Sequence, residues 1–204
     1  KFDGWVKENW SENGLSVTYG GYKEVEAVAY DMMISGKDSD AVSVLRLWRA
    51  RNISHFDMKL FSQGDYLRCM QEENEAEVIS KVLYPADDHY EGKSLRLKQQ
   101  YFLVSASLQN IISDHKHRYG PLDKLPQLAA IHINDTHPAL AIPEMMRILM
   151  DENGFTWDDA WNITTGVFAY TNHTVMAEAL ETWQEDLIAR RLPRIHMIIK
   201  EINR

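Results

Sequence analysis

The stretch that decides the fold is LAAIHINDTHPALAIPEMMRIL, residues 128–149. Its first part, Leu128 to Asp135, is a short apolar run of the kind that forms a buried strand. A polar loop follows, and the chain then enters a segment with helical spacing that ends at Asn153-Gly154. The apolar positions of that helix are Ile142, Met145, Met146, Ile148 and Leu149. Strand, polar loop and helix in this order predict an α/β fold.

The same order recurs further along the chain. Thr156 to Asp159 resembles a capping box, with Asp in place of Glu, and opens another helix. GVFAY, Gly166 to Tyr170, predicts a second short strand; TNHT follows it and leads into a helix predicted over Val175–Trp183. Two strands that alternate with helices predict a parallel sheet, in which ligands bind at the carboxyl ends of the strands. We therefore expect NDTH and TNHT to lie at one shared pocket.

The rest of the chain divides into a β-rich segment, 14–36, and an α/β segment, 40–204. Gly20-Gly21 separates the β-forming runs LSVTY and YKEVEAVAY, which predicts that these two runs pair as a hairpin. Val42 to Trp48 reads equally as a strand or a short buried segment. Apolar spacing predicts helices over 64–83 and, most clearly, 92–119. We expect residues 1–204 to be one domain, and a piece of a longer chain because the apolar pattern of LPRIHMIIKEINR still continues at Arg204.

Composition and charge limit the classes of partner. Of the 204 residues, 45% are hydrophobic and 25% charged, as in globular proteins. The net charge of −8 disfavours nonspecific binding to nucleic acid or an anionic membrane. The single cysteine, Cys69, cannot form an intrachain disulfide. No segment resembles a signal peptide or an apolar membrane span, so we expect a cytoplasmic protein.

The NDTHP loop carries the densest chemistry. Asn134 to His137 offer an amide, a carboxylate, a hydroxyl and an imidazole, groups that suit the paired donors and acceptors of a sugar. Two alternatives stay open. Asn, Asp and Thr are also common at helix N-termini, and His132, Asp135 and His137 are all possible metal ligands.

Two further segments are candidates for the same pocket. Asn172-His173-Thr174 repeats this chemistry after the second strand, with Glu178 one turn beyond Thr174. His173 is placed either in the pocket or near a helix cap, where backbone groups would satisfy its ring. The polar loop Pro85–Lys93, hereafter the gate loop, has little apolar anchorage and precedes a long helix, as expected of a mobile lid or of a solvated loop. Arg96 on that helix is placed either to meet a ligand or to pair with Glu91.

Five strings in fixed order carry a resemblance to a known family. They are LRLW (45–48), VLYPxDxxxEGKxLRLKQQYF (82–102), INDTHPALAIPEMMRIL (133–149), AYTNHTVMAEALETW (169–183) and LPRxxxIIKEIN (192–203). Together they resemble the glycogen/starch/maltodextrin phosphorylases, from about Leu45 to the end of the chain.

The resemblance implies a Rossmann-like fold, as part of the N-terminal domain of a GT-B glycosyltransferase. It implies phosphorolysis of α-1,4-glucan to glucose 1-phosphate by a homodimeric parent enzyme. The cofactor would be pyridoxal phosphate, bound to a lysine in a C-terminal domain whose motif does not occur here. The isolated chain should therefore be inactive; the alternative is a noncatalytic carbohydrate-binding or assembly module of the same fold.

Site residues follow from the motif positions. His173 would contact the transferred glucosyl unit, and Asp135 would support it. The resemblance places four residues along the path of the glucan: Tyr84, Arg96, His137 and Glu178. It places Asp87, Asp88 and His89 on the gate loop.

Overall fold

A computed structural model describes residues 1–12, 14–53, 56–177 and 180–204. Its contacts divide the chain into two compact units. The first unit comprises Lys1–Lys23 and Leu103–Arg204, and the second comprises Glu24–Phe102. The fold mixes helices and strands, consistent with the α/β class expected from the sequence.

The second unit is a long hairpin with helices. β3 (Val25–Ser35) and β4 (Val42–Asn52) are antiparallel, followed by α1 (Met58–Ser62) and α2 (Tyr66–Lys81). Asp65 caps α2, and the hydroxyl of Ser80 on α2 accepts a hydrogen bond of 2.9 Å from the Ala50 amide of β4. The helix and the strand are thereby joined, and Val42 to Trp48 is a strand.

The predicted pairing of the two β-rich runs was wrong. β2 (Gly14–Gly20) pairs with β1 (Trp5–Ser11), whereas β3 pairs with β4. Each run therefore pairs with the strand on its far side along the chain: β1 and β2 form a seven-residue ladder, and β3 and β4 an eleven-residue ladder. Gly20-Gly21 separates the two hairpins instead of closing one. Gly21 adopts a φ of 63°, which favours glycine.

The first unit contains the parallel sheet. β5 (Ile131–Asn134) and β6 (Phe168–Thr171) are parallel neighbours, as predicted. The helices are α4 (Leu125–Leu128), α5 (Ala141–Arg147), α6 (Trp157–Val167), α7 (Glu185–Arg191) and α8 (Pro193–Ile202). Short 3-10 and π-helical turns cover Leu122–Lys124 and Ile148–Glu152. α3 (Tyr90–Tyr119) contributes residues to both units.

The core of the first unit surrounds α5. Met145, Met146 and Leu149 are fully buried there, against Leu108 of α3 and Ile198 of α8. The predicted cap of α6 is confirmed, since the Thr156 side chain accepts from the Asp159 amide. The apolar positions predicted for the helix after NDTHP thus fill the core: Met145, Met146, Ile148 and Leu149 belong to it, and Ile142 packs against it.

Two groups of buried charges lie in this unit. Glu144 and Arg147 of α5 form a double hydrogen bond of 2.7 and 2.8 Å, and Ser105 of α3 donates to the same carboxylate at 2.6 Å. Asp151 binds Arg194 of α8 and accepts a 2.5 Å hydrogen bond from the Tyr19 hydroxyl. Each group ties separate segments of the unit together.

The helix predicted over Val175–Trp183 was wrong in its described part. Residues 175–176 and 180–183 lie outside any helix, and the Leu180 amide donates a hydrogen bond to the Ala177 carbonyl oxygen. Asn172 and Thr174 accept hydrogen bonds from the amides of Thr174 and Met176. Such local side-chain bonds compete with the helical ladder.

In the described segments, no helix is long and apolar enough to cross a membrane.

Candidate functional site

The carboxyl ends of β5 and β6 bring the two polar loops together. The strands pair in parallel with Asn134 opposite Thr171. The Asp135 amide then donates to the Thr171 carbonyl at 2.8 Å, which extends the pairing by one residue. Because parallel strands end at the same edge, NDTH and TNHT emerge side by side, as the sequence predicted.

Side chains link the loops as well as backbone. His132 Nε2 lies 2.6 Å from the hydroxyl oxygen of Thr171, and His173 Nε2 is hydrogen-bonded to Asn134 Oδ1. We call Asn134, Asp135, Thr171 and His173 the strand-edge cluster. Asn134 and His173 are exposed and Asp135 and Thr171 half-buried, so the cluster is accessible to a ligand.

Asp135 is held as a carboxylate in a constrained backbone. Its φ of 68° lies in the left-handed region. A hydrogen bond of 2.7 Å from the Thr136 amide to Asp135 Oδ1 is the main factor that holds the pKa of this carboxyl below its usual value. His137 and His173 act in the same direction through their charge. The cluster therefore presents a fixed anion beside an imidazole.

The structure bears on both alternatives for NDTH, the helix cap and the metal site. α5 begins at Ala141 with Leu140 as its N-cap and no side-chain cap. Asp135 bonds the adjacent amide instead, so the polar residues do not serve as the helix cap. In the part of the chain that the structure describes, no three His, Cys, Asp or Glu side chains are grouped to hold a metal ion.

The gate loop is attached to the start of α3 by polar contacts. Arg96 Nη1 binds Asp87 Oδ2 at 2.6 Å, and His89 Nδ1 accepts a 3.0 Å hydrogen bond from the Gly92 amide. A β-carbon at Gly92 would lie 1.7 Å from the Ala86 carbonyl oxygen. Glycine is required at this position because the loop backbone crosses directly over the helix.

The remaining candidates are divided between the units. Tyr84 and Asp88 are exposed residues of the second unit, and Tyr84 has a φ of 56°. His137 is exposed in the first unit, close enough to Asp135 to influence its carboxyl. Glu178 lies outside the described residues. The structure thus brings together Asp135, His137 and His173 in one unit, and the gate loop with Arg96 in the other.

Sequence reasoning missed the part played by Asn134 and Thr171. Strand alternation placed His132 and Asn134 on the same face, which was the available signal. Strand alternation does not predict that His132 contacts Thr171 or that Asn134 contacts His173. Both contacts depend on the register of β6 against β5, which only the folded chain defines.

Comparison with known proteins identifies the family. The sequence model of the carbohydrate phosphorylases matches residues 1–204. The chain belongs to the carbohydrate phosphorylase family. Within that family it is 51% identical over 181 residues to the glycogen phosphorylase of Pasteurella multocida (strain Pm70), an alignment that covers 89% of this chain.

Similar relatives occur in distant organisms. Glycogen phosphorylase 2 of Dictyostelium discoideum is 47% identical over 203 residues, which is 99% of this chain. The liver form of human glycogen phosphorylase is 48% identical over 187 residues. The carbohydrate phosphorylase chain described here spans about a fifth of each relative's length, 20% to 22%.

Proposed function

We propose that this chain supplies the glucosyl and glucan side of the active site in an α-glucan phosphorylase. The observation that carries the proposal is the contact of Asn134 with His173, which unites the two polar loops at the end of the parallel strands. The similarity to glycogen phosphorylases supports the reaction, in which phosphate cleaves a terminal α-1,4-glucosyl unit to give glucose 1-phosphate.

Within the strand-edge cluster, we assign different tasks to Asp135 and His173. The Asp135 carboxylate can only accept hydrogen bonds when ionised, so it would bind sugar hydroxyl hydrogens. Its bond to the Thr136 amide fixes its direction before the sugar arrives. His173 would contact the glucosyl unit through its ring. Such preorganised groups lower the reorganisation needed during glycosyl transfer.

The glucan beyond the transferred unit would follow Tyr84, Arg96, His137 and Glu178. Asp87, Asp88 and His89 would act as a gate, since a polar loop with little apolar anchorage can open at low cost. The ion pair of Arg96 with Asp87 would then hold the gate in one position.

Two finer features of the proposal, a Rossmann-like domain of GT-B type and a homodimeric parent protein, come from the resemblance. A single domain over 1–204 and a cytoplasmic location are proposed from the sequence itself. The net charge of −8 disfavours nonspecific binding of this chain to nucleic acid or an anionic membrane.

Pyridoxal phosphate, the cofactor that the resemblance implies, does not fit the strand-edge cluster. The hydrogen bonds that the described residues form there come from amide, hydroxyl, imidazole and carboxylate groups. A lysine amine for an imine, or a guanidinium to bind the cofactor phosphate, takes no part in them. We therefore propose that the cofactor binds to another part of the parent enzyme, and that this chain alone releases no glucose 1-phosphate.

A chimera tests the function directly. The matched segment of the Pasteurella multocida enzyme is replaced by this chain, and glucose 1-phosphate release from maltooligosaccharide and phosphate is measured. We expect activity in the chimera and its loss by at least about a hundredfold in His173→Ala, the effect typical of a lost transition-state contact. His196→Ala is the control, because His196 pairs with Glu185 on α7. A chimera that binds maltooligosaccharide without releasing product would favour the noncatalytic module instead.

A further inference from the structure

The two cross-strand side-chain bonds of the parallel sheet repeat one geometric relation. His132 lies opposite Ala169 in the ladder but bonds Thr171, two residues further along β6. Asn134 lies opposite Thr171 but bonds His173, again two residues further. The twist of neighbouring strands brings such diagonal positions within reach of long side chains. The Asn134 contact is therefore a continuation of the sheet and not a chance meeting of two loops.

We propose that Asn134 is a positioning residue that fixes the orientation and the tautomer of the His173 ring. β6 ends at Thr171, so His173 lies beyond the backbone ladder. Asn134 is the last residue of β5, and its side chain extends the order of the sheet to that ring. The inference rests on the proposed function only for the role of His173 toward the sugar.

The chemistry of the contact determines which ring nitrogen is free. Asn134 Oδ1 is an acceptor, so the Nε2 atom of His173 must carry the hydrogen and donate it. In the neutral ring Nδ1 is then an unprotonated acceptor. An acceptor suits a sugar hydroxyl that donates, whereas a ring with the opposite tautomer would present its N–H donor there instead.

Exposure explains why such a device is needed. Both Asn134 and His173 are exposed. Close packing does not restrict an exposed ring, and the neutral imidazole in water exchanges between its two tautomers. A single well-directed acceptor removes this freedom before the substrate binds, which lowers the entropic cost of forming the complex.

The first experiment measures the ring itself. The ¹⁵N signals of His173 are recorded in the 204-residue chain at a pH above the imidazole titration, for the wild type, Asn134→Asp and Asn134→Leu. We expect only the Nε2–H tautomer in the wild type and in Asn134→Asp, which keeps an acceptor at the same place. Asn134→Leu should give an averaged mixture. A tautomer mixture in the wild type overturns the proposal, and this result does not depend on the activity of the parent enzyme.

The matched control is Asn110→Leu, the same change on α3, where Asn110 donates to Asp114. It should leave the His173 signals unchanged. If Asn110→Leu alters the ring as strongly as Asn134→Leu, the effect is a general loss of structure and the proposal fails. If Asn134→Leu does not fold, Asn134→Ala takes its place, because it removes the acceptor and adds no bulk. A folded variant without the acceptor that keeps only the Nε2–H tautomer overturns the proposal.

The second experiment uses the chimera described above. Asn134→Leu should lower kcat/KM about tenfold, the size of one net hydrogen bond, whereas Asn134→Asp should retain most of the activity. Wild-type kinetics in Asn134→Leu would overturn the positioning role. If His173→Ala keeps full activity while the ring tautomer is as expected, the proposed function of His173 fails and the contact of Asn134 stands.

Discussion

Removing the carboxylate of Glu144 should destabilise the first unit strongly. The side chain of Glu144 is 0% exposed and accepts hydrogen bonds from Ser105 Oγ, Arg147 Nε and Arg147 Nη2. The Arg147 side chain is 10% exposed and also binds Glu152, whose side chain is 49% exposed, so Glu144→Ala removes the buried partner of a largely buried cation. Breaking one side of such a buried pair costs about 3–5 kcal/mol. With a urea m-value of about 1–3 kcal/mol/M, the midpoint should fall by at least about 1 M.

Urea unfolding followed by far-UV circular dichroism measures this effect. The double variant Glu144→Leu/Arg147→Met removes both charges and should unfold near the wild-type midpoint, because hydrophobic replacement of a buried pair is often neutral. Asp186→Ala is the control; it removes an exposed pair with Arg190 and should cost about 1 kcal/mol or less. A single variant within about 1 kcal/mol of the wild type, or a double variant as unstable as the single one, would refute the reasoning.

Three further outcomes are expected. Gly92→Ala places a β-carbon 1.7 Å from the Ala86 carbonyl oxygen, so it should displace the gate loop and speed the amide hydrogen exchange of that loop. This clash should outweigh the helix propensity of alanine, which is better than that of glycine by about 1 kcal/mol. Unchanged amide exchange in the gate loop would contradict this. The Thr136 amide chiefly lowers the pKa of Asp135, so this carboxyl should titrate in ¹³C NMR below the unfolded value of about 3.9. The stability that the Asp135 carboxylate contributes is present above a pH of about 3.9 and is lost as the pH falls through the folded pKa. Burial raises the pKa of Tyr19, so the free energy of unfolding should fall as the pH rises above about 10. Tyr19→Phe has no hydroxyl to ionise and should lose less stability over that range than the wild type.

The parts of the fold that the sequence predicted are those with strong local signals. The α3 helix, the α6 cap at Thr156 and the two short parallel strands all follow from periodicity and capping chemistry. The pairing of the β-rich runs did not, because Gly20-Gly21 is compatible with a hairpin turn and with a break between hairpins. The sequence analysis predicted no strand over Trp5–Ser11, so the partner that β2 uses in the fold was not among the choices.

The candidate site shows the same division. The positions of NDTH and TNHT at strand ends were predictable, because the order of strand, loop and helix implies parallel pairing. The loss of helix after His173 was not, because apolar spacing over 175–183 ignores the local bonds of Asn172 and Thr174. The exposed Val175 and Met176 show that these apolar residues are not buried in this chain.

One titration tests the central claim most directly. The ¹H–¹⁵N spectrum of the chain is recorded with increasing maltooligosaccharide, with an equal concentration of a non-glucan disaccharide as the control. We predict weak, saturable shifts at the amides of residues 134–137 and 171–174, which form the two loops joined by Asn134 and His173. Saturable shifts confined to other parts of the chain, or shifts equal to those of the control sugar, would contradict a sugar site at the ends of β5 and β6.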